Sequence, residues 1–294
     1  MRSTNLNKTI DYFGDILNNK TAGLPSRCFA LDVLGAIAEI ESVNQIVKCL
    51  DDRSELLKHK AIFRLGQIAY LRPETNVSTV AHETLCLTLG KMDEHLIVRH
   101  EAGEMLGGLG LRKSLPVLKK FLNDPIPEIS ETCELAIRQI EYIHTYMNGN
   151  TIIPHGDAAP SYEEKKDIKT LEKIIFDCSE NTWERFRAMF TLRNFDNDET
   201  NSILINALDS YDNPLLGHDI AFVLLNVPTK ESIDVLYRKL SNDSNDCIVR
   251  HVCAEALGEM KSKKANDLAR EFLLDKDVVI RESVEVALHL LPNL

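Results

Sequence analysis

A short pattern recurs eight times along the chain and restricts its fold more than any other feature. Residues 28–35 read CFALDVLG, 59–66 HKAIFRLG, 100–107 HEAGEMLG and 130–136 SETCELA; after a gap come FRAMFTL (186–192), HDIAFVL (218–224), HVCAEALG (251–258) and ESVEVAL (282–288). Each copy spaces its apolar residues as one face of an α-helix, as Val98, Ala102, Met105, Leu106 and Leu109 do. A second amphipathic stretch precedes each copy, such as SLPVLKKFLNDP (114–125) or SIDVLYRKLSND (232–243), and the Asn-Asp endings are turn and N-cap chemistry. A helix, a tight turn and a second helix therefore recur every 30 to 40 residues, and no strand-period run competes. The predicted fold is all-α: a solenoid of eight HEAT-type hairpins in two related halves of four. The halves are placed at 1–145 and 166–294. Residues 146–165, rich in Gly, Pro, Asn and Ser, are expected to link them.

At 294 residues and 44% hydrophobic content the chain can bury a large core. A net charge of −11 argues against nucleic-acid or anionic-membrane binding, which want a basic surface. No apolar run approaches the roughly 18 residues of a membrane span. The seven cysteines, at 28, 49, 86, 133, 178, 247 and 253, form no C-x-x-C pair. Reduced thiols in a cytoplasmic protein are the expectation.

Four of the eight copies open on histidine: His59, His100, His218 and His251, the second and third units of each half. The other four carry Cys28, Ser130, Phe186 and Glu282 there, so the repeat itself does not demand the imidazole. Stacked repeats set equivalent positions side by side, so two imidazoles per half converge, and a neighbouring carboxylate completes a two-His-one-carboxylate set. Such a set suits non-haem iron, although zinc and manganese accept the same donors. The separation of the first pair, 41 residues against 33, points to an insertion within 71–80. Glu255 lies one helical turn beyond His251, but acids at Glu104 and Glu134 suggest a structural position. His82 falls out of frame and reads as structural. His95, His144, His155 and His289 read as solvated or capping residues, Arg185 and Arg187 as surface charges, and EEKKD (163–167) as a solvated helix start. The Leu-Gly pairs read as helix-end chemistry, and G-x-x-G-G-L-G at 103–110 is not a nucleotide loop.

Several of these stretches resemble deoxyhypusine hydroxylases, HEAT-repeat di-iron monooxygenases: LLKHKAIFRLGQ (56–67), IVRHEAGEMLGGLG (97–110), PEISETCELAIRQIE (127–141), WERFRAMFTLRN (183–194), IVRHVCAEALGEM (248–260) and VIRESVEVAL (279–288). The resemblance runs from about residue 25 to the end. It implies two Fe(2+) ions, dioxygen, an external reductant, and the deoxyhypusine form of translation initiation factor 5A as protein substrate. It also implies four His-Glu pairs, in which all four His and the second and fourth Glu ligate metal, while the first and third Glu face the cationic arm. Carried onto this chain, the metal ligands are His59, His100, Glu101, His218 and His251, and the acids left near the substrate arm are Glu101 and Asp219. Lys60 and Val252 replace the first and fourth acids. The alternative that these replacements suggest is a HEAT-repeat scaffold retaining at most one metal site.

Overall fold

The computed structural model describes residues 2–73, 75–147, 157–164, 166–244 and 246–290. Those residues form sixteen α-helices and no strand. They divide into two compact units, residues 1–152 and 153–294. Unit one holds α1 (Arg2–Asn18), α2 (Leu24–Ile37), α3 (Ile40–Cys49), α4 (Glu55–Leu71), α5 (Asn76–Gly90), α6 (Leu96–Gly108), α7 (Leu115–Leu118, between two 3₁₀ turns) and α8 (Pro127–Tyr146). Unit two holds α9 (Ile168–Phe176), α10 (Thr182–Phe195), α11 (Asp198–Asp209), α12 (Pro214–Leu224), α13 (Lys230–Ser241), α14 (Cys247–Glu259), α15 (Lys263–Ala269) and α16 (Val278–Leu290). Every copy of the sequence pattern lies on an even-numbered helix, and within each unit these helices pack in sequence, α2 on α4 on α6 on α8 and α10 on α12 on α14 on α16.

Leu109-Gly110 closes α6, with Gly110 at φ 65°, but the Leu-Gly pairs within the repeat frame also serve packing. Gly66, Gly107 and Gly258 lie inside or near the close of even helices, where the next helix comes near enough to exclude a side chain. A Cβ on Gly107 would stand 2.8 Å from the backbone of Ala136, and one on Gly258 2.5 Å from the Ala287 methyl. Small residues at this position let consecutive even helices approach, which fixes the row of side chains beside them.

A buried arginine repeats with the fold. Arg27, Arg99, Arg185 and Arg250 each donate Nε to a carbonyl ten residues back, of Leu17, Leu89, Ile175 and Leu240. Each also pairs with an aspartate before the next even helix: Asp52 at 2.6 Å, Asp124 at 2.5 Å, Asp212 at 2.6 Å and Asp275 at 2.7 Å. Asp52, Asp124 and Asp275 accept in turn from a backbone N–H two residues on. One guanidinium thus ties the end of one helix to the turn of the next repeat. Arg185 is therefore a buried structural residue, not a surface charge.

Two further expectations change. The extra residues between His59 and His100, expected as an insertion within 71–80, lengthen the two helices: α4 runs 17 residues against 11 in α12, and α5 runs 15 against 12 in α13. The C-terminal part of the expected linker is ordered on unit two. Asp157 takes both nitrogens of Arg193 at 2.6 and 2.7 Å, the Tyr162 amide donates to Thr191, and Arg187 donates to the Pro160 carbonyl while lying 4.2 Å from the Tyr162 ring centre. Arg187 anchors that segment instead of facing water. Most of the remaining linker, with His155, lies outside the described residues. None of the seven cysteines is in a disulfide; burial pushes the Cys49 and Cys133 thiols up to about 12. Among the described residues no helix is long and apolar enough to cross a membrane.

Candidate metal centre

All four framed histidines stand in the first turns of their even helices, and α6 starts on an N-cap that is itself a histidine, His95, whose ring accepts from the Ile97 amide. His100 and His251 are buried, His59 and His218 partly so. The packing register brings three of the imidazoles against the following repeat. His59 Nε2 lies 2.9 Å from Glu101 Oε2, one repeat along. His100 Nδ1 meets Thr132 Oγ1 at 2.8 Å, and His251 Nδ1 meets Ser283 Oγ at 2.8 Å, both 32 residues on.

That register corrects the frame of the fourth repeat. Thr132 is the counterpart of Ser283, so ETCELAI (131–137) matches ESVEVAL (282–288), and Glu131 takes the place given to Ser130. The position after the frame residue then reads Phe29, Lys60, Glu101, Thr132 in unit one and Arg187, Asp219, Val252, Ser283 in unit two. Val252, 2% exposed, stands where Glu101 stands in unit one. Glu134 leaves the row of acids; it is half-exposed and paired with Arg138 at 2.8 Å. Acids four residues beyond a histidine remain only as Glu104 and Glu255, while the preceding repeats carry Phe63 and Phe222 there.

Hydrogen-bond counting fixes the tautomers. A hydroxyl has one proton to give. Thr132 Oγ1 donates it to the Glu128 carbonyl at 2.6 Å, and Ser283 Oγ gives its own to the Val279 carbonyl at 2.7 Å. Both hydroxyls must therefore accept from the imidazole, so Nδ1–H is the donor in His100 and His251 and Nε2 carries the lone pair. His218 reaches the same tautomer another way, its Nδ1 donating to Asp219 Oδ1 at 2.8 Å. A histidine that ligates metal through one nitrogen holds its other N–H on a fixed acceptor in this fashion. The Nε2 atoms face carboxylates: His100 lies 3.2 Å from Glu104 Oε2 and His251 3.6 Å from Glu255 Oε2.

The donors meet in pairs: His59 with Glu101, His100 with Glu104, His218 with Asp219, His251 with Glu255. Among the described residues no three His, Cys, Asp or Glu side chains are drawn together as one metal-holding group. In donor chemistry the unit-one residues fit iron, with two imidazoles and a carboxylate. The 2.9 Å between His59 and Glu101 also matches two ligands held by one ion, since donors about 2.1 Å from a metal at right angles stand about 3 Å apart. Unit two supplies two imidazoles with fixed Nε2 atoms and has an aliphatic side chain at Val252.

The remaining histidines stay outside these pairs. His82, on α5, bonds Ser114 at 3.0 Å; burial, assisted by the Lys113 charge, lowers its pKa to about 4, so it is a neutral core residue. His144 meets the Gly110 carbonyl and His289 that of Glu285. Beneath His59, the buried Lys58 bridges Glu55 and Glu94. Sequence reasoning passed over that ion pair, although Lys58 sits where Arg27 and Arg99 sit in neighbouring repeats.

No protein-family model matches the chain. Individual proteins do. The chain is 33% identical over 97% of its length to a deoxyhypusine hydroxylase of Danio rerio, covering 92% of that protein. It is 32% identical to the Homo sapiens protein of the same name, over 95% of this chain and 90% of the other. The Candida albicans deoxyhypusine hydroxylase is 33% identical, over 95% and 91% respectively. The solved structure of human deoxyhypusine hydroxylase in complex with glycerol superposes with a TM-score of 0.88 at 32% identity, covering 98% of this chain and 97% of that one. With a third of its residues shared over nearly its whole length, and with the same repeat architecture, this chain belongs to the deoxyhypusine hydroxylase family.

Proposed function

We propose that this chain is an iron-dependent monooxygenase that hydroxylates the deoxyhypusine side chain of translation initiation factor 5A, forming hypusine in the cytoplasm. Membership of the family supports the reaction. The observation that carries the metal reading is the pair of hydroxyl-fixed imidazoles, His100 on Thr132 and His251 on Ser283, which hold Nε2 lone pairs toward carboxylates in both units. Iron, when bound, supplies the activation of dioxygen; the oxygen atoms divide between the new C–OH and water, with two electrons from an external reductant.

The protein's own residues do the rest. His59, His100 and Glu101 form the ligand set of unit one, and His218 and His251 supply the imidazoles of unit two. Thr132, Ser283 and Asp219 hold three of those rings in the ligating tautomer, so no reorientation is needed when metal enters. The amine of the substrate arm is cationic, and Glu101 and Asp219 are assigned to it by charge. Lys60, partly buried in the same row as Glu101, opposes that charge. Substrate therefore binds this chain more weakly than it would with an acid at 60.

The test is co-expression with factor 5A and the enzyme that makes deoxyhypusine, followed by mass spectrometry of the modified lysine. Addition of one oxygen atom, lost in His100→Ala, is expected. Unmodified deoxyhypusine beside a well-expressed, folded chain refutes the proposal.

A further inference from the structure

We infer that Glu255 is the carboxylate ligand of the metal in unit two, taking over the role that position 252 has lost; this rests on the iron reading above. Three observations on α14 carry it. Val252 is buried and offers no donor atom, yet His251, one residue earlier, keeps its full supporting arrangement. Its Nδ1–H is given to Ser283, whose own proton is given to Val279, so Nε2 is an acceptor. Glu255, a helical turn along the same face, turns Oε2 to within 3.6 Å of that Nε2. Two acceptors at this separation share no hydrogen bond. The distance suits two donors on one cation, for which the span runs from about 3 Å with perpendicular bonds to about 3.6 Å at a wider angle.

The corrected repeat frame removes the main objection. An acid stands four residues after the frame position in three of the eight repeats, Asp32, Glu104 and Glu255; Glu134 belongs to a different position and faces Arg138, and Asp32, in a repeat without histidine, takes Arg64. Among the histidine repeats the acid occurs after His100 and His251 and not after His59 or His218, where Phe63 and Phe222 stand. In unit one Glu104 has the same posture, 3.2 Å from His100 Nε2, but there Glu101 already supplies a carboxylate against His59. In unit two Asp219 is engaged with His218 Nδ1. Glu255 thus sets its carboxylate against the Nε2 of His251, the ring that Val252 leaves without a neighbouring acid. The two units are predicted to use different carboxylates: Glu101 in the first, Glu255 in the second.

The experiment counts metal. Full-length protein and the variants Glu255→Gln, Glu104→Gln and Glu101→Gln are loaded anaerobically with ferrous iron, desalted and assayed for iron per chain; Co(II) titration followed by ligand-field absorption gives site affinities. Two irons are expected in the wild type and in Glu104→Gln, and one in Glu255→Gln and in Glu101→Gln. Co(II) binding at the second site should weaken in Glu255→Gln by more than the roughly 100-fold that marks loss of an outer-shell contact. Adding Val252→Glu to Glu255→Gln should restore two irons, which separates ligand loss from misfolding. Two irons in Glu255→Gln overturn the inference, as does a wild type that binds one iron and is unchanged by the substitution. A wild type that binds no iron overturns the metal reading itself.

Discussion

Replacing Glu94 by Gln should destabilise the chain by an amount that depends on pH in a way only a buried ion pair produces. Glu94 lies before α6, 8% exposed, with its carboxylate against Lys58 and 3.0 Å from Lys91, and it accepts the His95 amide. Burial alone would raise its pKa, but the Lys58 hydrogen bond, the His95 N–H and Lys91 overcome it and hold the group near 2 instead of 4.5. A shift of that size corresponds to at most about 3.4 kcal/mol, and partial solvent access near Lys91 reduces the expectation to roughly 2–3 kcal/mol.

The folded-state pKa is depressed, so the unfolded chain takes up the proton first as pH falls. The stabilisation is fully present above the unfolded value of 4.5 and is lost as pH falls toward 2. Glu94→Gln mimics the protonated group in size but cannot ionise. The gap between wild type and variant should therefore be about 2–3 kcal/mol at pH 7, close to half of that near pH 3, and about zero by pH 2. Urea unfolding followed by circular dichroism at a series of pH values measures it, and the other carboxylates, common to both proteins, cancel in the difference. A gap that is absent at neutral pH, or one that persists unchanged at about pH 2.5, refutes the reasoning.

Arg99→Met should cost about 3–5 kcal/mol, because it strands the fully buried Asp124 carboxylate; a thermal-unfolding loss below about 1 kcal/mol would show that the arginine ties are not structural. Gly107→Val should destabilise by about 1–3 kcal/mol or more by forcing α8 away, while Gly108→Ala, with nothing within 4 Å of the new methyl, should be neutral or stabilising by up to about 1 kcal/mol; paired melting curves test the contrast. Lys60→Glu should lower KM for the deoxyhypusine protein about tenfold, or ~1.4 kcal/mol, with little change in iron content; an unchanged KM would place residue 60 away from the substrate arm.

Much of the architecture was legible because helical periodicity is local. Eight copies of a 3.6-residue pattern marked all eight even helices. What failed was register and what crosses it. The fourth repeat slipped by one residue because Ile137 stands where other units have the anchoring Leu, and the offset shows in contacts across the fold, His100–Thr132 matching His251–Ser283 and Gly107–Ala136 matching Gly258–Ala287. The arginines recur just before the frame position, but the aspartates they reach lie 25 to 27 residues on and outside the pattern, so Arg185 looked like a surface charge. The longer spacing in unit one looked like an insertion within 71–80 because a sequence shows extra length but not that it is shared between two lengthened helices. Glu255 was set aside through the same slip, since a misplaced Glu134 made its acid look generic.

The site also accounts for the lack of histidine in the last repeat of each unit. Three of the four imidazoles are completed by the residue after the frame position in the next repeat; His218, followed there by the aliphatic Val252, takes Asp219 of its own repeat instead. His59 takes Glu101 from the third repeat, and His100 takes a hydroxyl from the fourth; in unit two the last repeat again ends the row with a hydroxyl, on His251. A histidine in the final repeat would have no following unit to orient it. Thr132 and Ser283 are thus as much a part of the ligand design as the imidazoles they hold, although neither touches metal. Changing either to Val should leave the fold intact and free the ring to adopt the other tautomer. Metal affinity should then fall by roughly 10- to 100-fold, and replacing Ser283 by Thr should restore it. If Ser283→Val bound Co(II) as tightly as the parent, the hydroxyl would be incidental and the tautomer argument would fail with it.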